Sequence, residues 1–195
     1  MNHMNLILAS QSPRRKSLLT QLGYQFSCQP ANIDECVLAN ESPHDYVERL
    51  AKEKAQCVAS CAGEESVVLG SDTTVVVNGE ILGKPADFDD FSRMMASISG
   101  TSHQVLTGIA AVSRNKVLSS VIQTNVFFKQ LSSNEIEHYW QSGEPQDKAG
   151  GYGIQGIGGQ FVIEIQGSYS AVVGLPMYET VALLAHFGVV NAING

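Results

Sequence analysis

The chain has 195 residues, 44% of them hydrophobic and 16% charged, and carries a net charge of −7 from 12 Lys and Arg against 19 Asp and Glu. That length builds one substantial domain or two small lobes with a buried core. The acidic balance argues against a general nucleic-acid binder or a protein of anionic membranes, whose footprints are basic overall, while leaving room for a small cationic pocket.

No apolar run approaches the length of a membrane span, and the opening MNHMNLILAS lacks the basic segment of a secretory signal. Cys28, Cys36, Cys57 and Cys61 form no CxxC pair, and no histidine cluster completes a zinc pattern. They read as small, partly buried thiols of a reducing cytoplasm, with Cys57 and Cys61 spaced to share a helix face.

In chain order, NLILA (5–9) reads as a short buried strand. Ser12 and Pro13 then start a helix that Gly23 ends, and YQFSC gives a second strand. Residues 29–41 form a loop carrying NIDE, and Ser42, Pro43 and Asp45 open a helix to about Cys61. SVVLGSDTTVVV (66–77) is a long strand pattern interrupted by Gly-Ser-Asp. Asn78-Gly79 predicts a hairpin that returns EILGK antiparallel.

Asp87 caps a helix across 88–99 that Gly100 closes. HQVLTGIAAVSR and VLSSVIQTNVFFK are two long β patterns about a second hairpin at Asn115 and Lys116. Ser132 and Glu135 have capping-box spacing for a helix carrying EIEHYW. The glycine-rich KAGGYGIQGIGGQ (148–160) precedes the strand FVIEI, and Pro176 starts a last helix. Mixed strands, helices and long hairpins predict an α/β or α+β protein with an extended mixed sheet, in two lobes with a cleft between them.

The start of the first helix is chemically odd. Arg14 and Arg15 sit at the positive end of the helix dipole, where acidic residues are favoured. An anion removes the conflict, because backbone amides, dipole and two guanidinium groups then converge on it. Asp72, inside an apolar strand, is costly to bury unless it is paired, hydrogen-bonded or bound to metal. With Thr74 in place of a second aspartate, it does not make the DxD pattern of haloacid dehalogenase phosphatases. Lys84 in LGKP follows the hairpin that brings it back toward the Asp72 strand, and no Walker P-loop is present. Lys54 in RLAKEKA and Glu35 in NIDE each read as surface when taken alone. Together, these residues suit hydrolysis of a nucleoside triphosphate. That reaction needs cations for the phosphates, Mg²⁺ held by carboxylates, and a group to activate water.

The ordered blocks LILASQSPRRKSLL, NIDE, RLAKEKA, GSDTTVVVNGEILGKP, SGTSHQVLTGIAAV, DKAGGYGIQGIGGQFV and GSYSAVVGLP resemble the Maf family of nucleoside triphosphate pyrophosphatases. The resemblance runs from about residue 5 to 187. It implies an α/β fold similar to inosine-triphosphate pyrophosphatases: an elongated mixed sheet flanked by helices, two lobes with a central cleft, and one domain over 1–195. It also implies cleavage between the α and β phosphates with a divalent cation, Mg²⁺ or Mn²⁺. By motif, Asp72 matches the family's proton acceptor. Ser10, Arg15, Glu35, Lys54 and Lys84 match positions of phosphate binding, metal binding or catalysis. Arg14 joins the phosphate set, and Glu35 and Asp72 the metal set.

Within the family, Arg14, Thr73 and Gln155 favour the branch acting on dTTP and UTP over the one acting on 7-methyl-GTP. A neutral Gln155 amide can donate to a uracil carbonyl and accept from N3–H, although a flipped amide also pairs with cytosine. Gly151 stands where the family pattern has a small side chain such as Ala. The implied setting is cytoplasmic house-cleaning of pyrimidine nucleotides, with no nucleic-acid or membrane partner. The alternative is a non-catalytic nucleotide-binding regulator of septum formation. A homodimer and a cell-division partner are the macromolecular associations that go with these readings.

Overall fold

The computed structural model describes residues 4–193. The chain begins with two strand–helix–strand crossovers: β1 (Asn5–Leu8), α1 (Pro13–Gln21), β2 (Phe26–Cys28), α2 (Pro43–Ala59) and β3 (Ser66–Val77). β1 pairs in parallel with both β2 and β3, the arrangement that intervening helices permit. Ser12 caps α1 by accepting from the Arg15 amide, and Ser42 caps α2 by accepting from the Asp45 amide. The Gly-Ser-Asp step expected to interrupt the third strand does not do so, and β3 runs unbroken through it. Asp72 is accommodated by an ion pair rather than by a turn.

Asn78 and Gly79 take positive φ of 50° and 84°, the backbone of a two-residue hairpin. β4 (Glu80–Leu82) accordingly returns antiparallel to β3, with Val75 opposite Leu82. Then come α3 (Phe88–Ile98), capped by Asp87, β5 (Ser102–Ser113), β6 (Lys116–Phe128) and α4 (Ser133–Gln141), which has a full capping box from Ser132 and Glu135. The turn between β5 and β6 falls on Arg114 and Asn115, one residue earlier than expected, because Lys116 already belongs to β6.

A short 3-10 turn at Glu144–Asp147 leads into the glycine-rich block, which forms two more at Ala149–Gly151 and Ile157–Phe161 rather than a flexible stretch. β7 (Val162–Gln166), the short α5 (Tyr169–Val173) and α6 (Met177–Ala185) follow. The seven strands form one sheet in the order β2-β1-β3-β5-β6-β7, with β4 paired to β3. The fold is thus mixed α/β, as expected, and no helix among the described residues is long and apolar enough to cross a membrane.

By internal packing the chain divides into two compact units. The first takes the chain through Asp72, then Thr107–Ile122, then the chain from Gly174 on; the second takes Thr73–Leu106 and Gln123–Val173. The first buries Leu8, Leu19, Leu50, Leu69, Ile109 and Leu184 completely, together with a cluster of small residues in which Ala51, Ala55 and Val58 of α2 pack on Ala9, Val68, Ala110 and Val112. The second is rich in aromatic and larger apolar side chains, among them Phe91, Met95, Phe128, Tyr139, Tyr152 and Phe161.

All four cysteines are exposed, which corrects the expectation of partly buried thiols. Cys28 ends the edge strand β2, Cys36 lies in the loop before α2, Cys57 faces away from the buried side of that helix, and Cys61 lies beyond its end. Gly151 has φ of 71°, and a Cβ there would stand 2.9 Å from the Phe91 ring. A glycine in place of the expected Ala therefore fits a left-handed backbone packed against an aromatic face.

Candidate active site

The first unit gathers most of the residues singled out from sequence. Lys54, on the buried face of α2 and 8% exposed, donates to Asp72 Oδ1 at 2.6 Å, and its Nζ stands 2.8 Å from Glu35 Oε1. One ammonium therefore joins a buried carboxylate on β3 to a more exposed one in the loop before α2. Burying Lys54 and Asp72 costs desolvation that only close pairing offsets, so each charge depends on the other. Among the described residues, no hydrogen bond or ion pair is made to Asp72 Oδ2.

Sequence gave little sign that Lys54 is internal. Lys52, two residues earlier, is half-exposed and pairs along the helix with Glu48. The burial pattern of α2 separates the two, since Val47, Leu50, Ala51, Lys54, Ala55 and Val58 all face the core.

The loop carrying Glu35 is tied to α2 by residues that the sequence reading missed. Tyr46 Oη donates to the Glu35 carbonyl at 3.0 Å, and Arg49 Nη2 donates to the Cys36 carbonyl at 3.0 Å. Arg49 also grips Glu41, whose Oε2 accepts from the Leu38 amide, and this pairing holds the Glu41 carboxyl down at about 2. Burial pushes the Tyr46 phenol up to about 12, with the charges of Asp72 and Glu35 adding to the rise. The available signal was helical spacing: Tyr46, Leu50 and Lys54 are successive i, i+4 positions on one stripe.

At the start of α1, Ser10 Oγ accepts from the Ser12 amide at 3.1 Å and from Arg15 Nη1 at 3.4 Å. Arg15 Nε donates to the Gly174 carbonyl at 2.9 Å, which also accepts from Ser71 Oγ at 3.0 Å. Arg15 thus bonds to a carbonyl oxygen and a hydroxyl oxygen. Burial lowers its guanidinium pKa from the ordinary value, nearby Arg14 adds to the fall, and Asp72 and Glu35 oppose it. Arg14 is half-buried, and its side chain makes no hydrogen bond or ion pair among the described residues. Pro13 has no N–H and the Arg15 amide is taken by Ser12, so the helix start offers fewer open amides than the sequence suggested. The cationic side chains carry more of any anion site there.

Thr73, Lys84 and Gln155 belong to the second unit. Thr73 is half-buried on β3, Lys84 is exposed two residues past β4, and Gln155 is exposed between two of the 3-10 turns. The contacts above bring together Ser10 with Arg15, and Glu35 with Lys54 and Asp72. Thr73 follows Asp72 directly along β3, while Lys84 and Gln155 lie elsewhere in the second unit.

Glu35 and Asp72 also pass a chemical test for a divalent cation. Their oxygens already approach one positive centre within 2.8 Å. Two carboxylates completed by substrate phosphates are the usual hard-oxygen set for Mg²⁺.

The family model for Maf, described as Maf-like protein, matches residues 5–187. A protein of Pseudoalteromonas translucida named dTTP/UTP pyrophosphatase is 59% identical over 180 residues, covering 92% of this chain and 95% of that protein. One of the same name from Colwellia psychrerythraea is 60% identical over 193 residues, covering 97% of this chain and 91% of that protein. Among solved structures, the nucleoside-triphosphatase / dITP/XTP pyrophosphatase of Mycobacterium abscessus is 13% identical, with a TM-score of 0.44 over 67% of this chain and 77% of that one. With the family match running from before Ser10 to beyond α6, and relatives of more than half identity across nearly the whole length, the chain belongs to the Maf family.

Proposed function

We propose that this protein is a nucleoside triphosphate pyrophosphatase that hydrolyses dTTP and UTP, together with modified pyrimidine nucleotides, and so cleans the cytoplasmic nucleotide pool. The observation that carries the reading is Lys54 held between Asp72 and Glu35, in a family whose members cited above bear the name dTTP/UTP pyrophosphatase. In this reading residues 1–195 act as one functional domain.

The chemistry is an in-line displacement. A water oxygen bonds to the α-phosphorus, the bond from that phosphorus to the α,β-bridging oxygen breaks, and pyrophosphate leaves with the electron pair. Asp72 Oδ2 accepts the water proton, while Oδ1, bonded to Lys54, fixes the carboxylate's orientation. Arg14 and Arg15 hold phosphate oxygens, with Ser10 steadying Arg15. Mg²⁺ or Mn²⁺ held by Glu35 and Asp72 supplies charge neutralisation for the phosphates. Lys84 is assigned to phosphate charge, and Arg14, Thr73 and Gln155 to substrate choice, on their positions in the family motifs.

The test is incubation with Mg²⁺ or Mn²⁺ and a panel of dTTP, UTP, CTP, GTP and 7-methyl-GTP, resolving monophosphate, pyrophosphate and orthophosphate. Selective formation of dTMP or UMP with pyrophosphate is expected. Orthophosphate as the first product overturns the bond assignment. Nucleotide binding without turnover instead supports a regulator of septum formation.

A further inference from the structure

The segment that carries Gln155 is held by side chains that the proposed chemistry does not use. Gly143, with φ of 76°, turns the chain after α4 and presents Glu144 to the glycine-rich block. Glu144 Oε1 accepts from Tyr139 Oη at 2.7 Å and from the Gly158 amide at 3.0 Å, and Oε2 accepts from the Ile157 amide at 2.8 Å. Tyr139 Oη in turn accepts from the Gly153 amide at 3.0 Å. The amides on both sides of Gln155 thus end on one carboxylate and one phenol. Glycine lets the backbone come this close. A Cβ at Gly156 would collide with the Glu144 carboxylate, and one at Gly158 with Tyr139 Oη.

The arrangement is also fixed from behind. Tyr139 is 2% exposed and packs edge-on against Phe161, with ring centroids 5.1 Å apart, so its hydroxyl has a defined place. Lys148 Nζ donates to the Glu144 carbonyl at 3.0 Å. Burial alone would raise the Glu144 pKa, but the Gly158 amide, Tyr139 and the Ile157 amide together hold it below its ordinary value. Burial and the Glu144 contact push the Tyr139 phenol up, which keeps it a donor to Glu144 at physiological pH.

We propose that Glu144, working with Tyr139, is a positioning residue for base recognition: the carboxylate sets the 153–158 segment so that Gln155 meets the pyrimidine edge in one geometry. This rests on the reading of Gln155 as a base-reading residue of a dTTP/UTP pyrophosphatase. Without the carboxylate, the Ile157 and Gly158 amides lose their acceptor. The segment then samples other conformations, and discrimination between bases falls before the hydrolytic step does.

The experiment compares the wild type with Glu144→Gln, Glu144→Asp and Tyr139→Phe. It reads amide hydrogen exchange across 153–158, and kcat and KM for dTTP and CTP. Gln keeps one acceptor but turns an NH₂ toward an N–H donor, so Glu144→Gln should speed exchange at Ile157 and Gly158 by about tenfold or more. It should also narrow the dTTP-to-CTP ratio of kcat/KM by about tenfold, chiefly through KM for dTTP. Tyr139→Phe should speed exchange at Gly153, and Glu144→Asp, which keeps charge and two acceptors, should restore part of the selectivity. A purely structural residue would lower the thermal midpoint and leave the ratio alone. A folded Glu144→Gln protein with unchanged exchange, or with an unchanged ratio, overturns the proposal. A wild type that leaves dTTP and UTP intact overturns the pyrophosphatase reading, and exchange alone then decides whether Glu144 holds the segment.

Discussion

Lys54 and Asp72 show how a residue's neighbours decide what it can do. Asp72 is 8% exposed, its Oδ1 is committed to Lys54, and the lysine spends its remaining reach on Glu35. Asp72→Asn preserves shape and an acceptor for Lys54 while removing the charge and the proton affinity of the carboxylate. Hydrolysis of dTTP by the variant should fall at least about a hundredfold, the loss typical of removing one group that acts in the transition state. Stability should suffer less than the ~3–5 kcal/mol of a buried pair broken outright, because Asn still accepts and Glu35 still balances Lys54. Steady-state kinetics alongside a urea titration separates the two effects, and a folded variant with near-normal turnover removes Asp72 from the role of proton acceptor. Asp72 and the Arg14–Arg15 pair were legible in the sequence because each breaks a local rule, a charge in an apolar strand and cations at a positive helix end. Glu35 and Tyr46 break none. Glu35 stood out only through the resemblance of NIDE to a family motif, and Tyr46 only when the loop before α2 is laid against the helix.

Among the elements, α2 has the most demanding placement, since it must lie close enough to the sheet for Lys54 to reach Asp72. Two glycines make that approach. A Cβ at Gly70 on β3 would press on the backbone carbonyl of Ala51 and stand 2.9 Å from the amide of Ala55. One at Gly108 on β5 would meet the carbonyl of Val47. Because the obstacle is helix backbone rather than a flexible side chain, relief requires α2 to move as a body. Gly70→Ala should therefore cost about 1–3 kcal/mol, the range of overpacked cores, and lower the thermal midpoint by about 2–4 °C for each of those kcal/mol. It should also reduce kcat although it touches no reacting atom, by lengthening the Lys54–Asp72 contact. A variant of normal midpoint and normal kcat would show that the helix is not held by this approach.

The same elements show how far periodicity and caps reach. The helix starts at Ser12, Ser42, Asp87 and Ser132 and the Asn78-Gly79 hairpin were readable because a single side chain or turn specifies each. α5, five residues between Gly167 and Gly174, is too short to show a helical period, and the 3-10 turns of the glycine block depend on Glu144 and Tyr139 from outside it.

For the molecule as a whole, acid should be the most revealing stress. Among the described residues, His103 is the one buried histidine: it lies against the aromatic core of the second unit, 3% exposed and edge-on to both Phe128 and Tyr152. Nε2 of His103 meets Tyr152 Oη at 2.7 Å, and Nδ1 is buried without a hydrogen-bond partner among the described residues. Burial pushes the imidazole down to about 4, so the native state keeps it neutral where the unfolded chain, with an ordinary value near 6.5, takes up a proton. The unfolded state then binds more protons between those values. Stability is complete above about pH 6.5 and falls as pH drops toward 4, by about 3 kcal/mol over the full interval. Glu41 and Glu135, both held at about 2, act in the same direction but lower, with their contribution present above the ordinary carboxylate value and lost as pH falls through 2. The two ranges can be separated by experiment. The urea midpoint should decline between pH 6.5 and 4 in the wild type, and His103→Phe should flatten that interval while leaving the loss below it in place. If the wild type and His103→Phe decline in parallel from pH 6.5 to 4, His103 is not the group that couples this fold to acid.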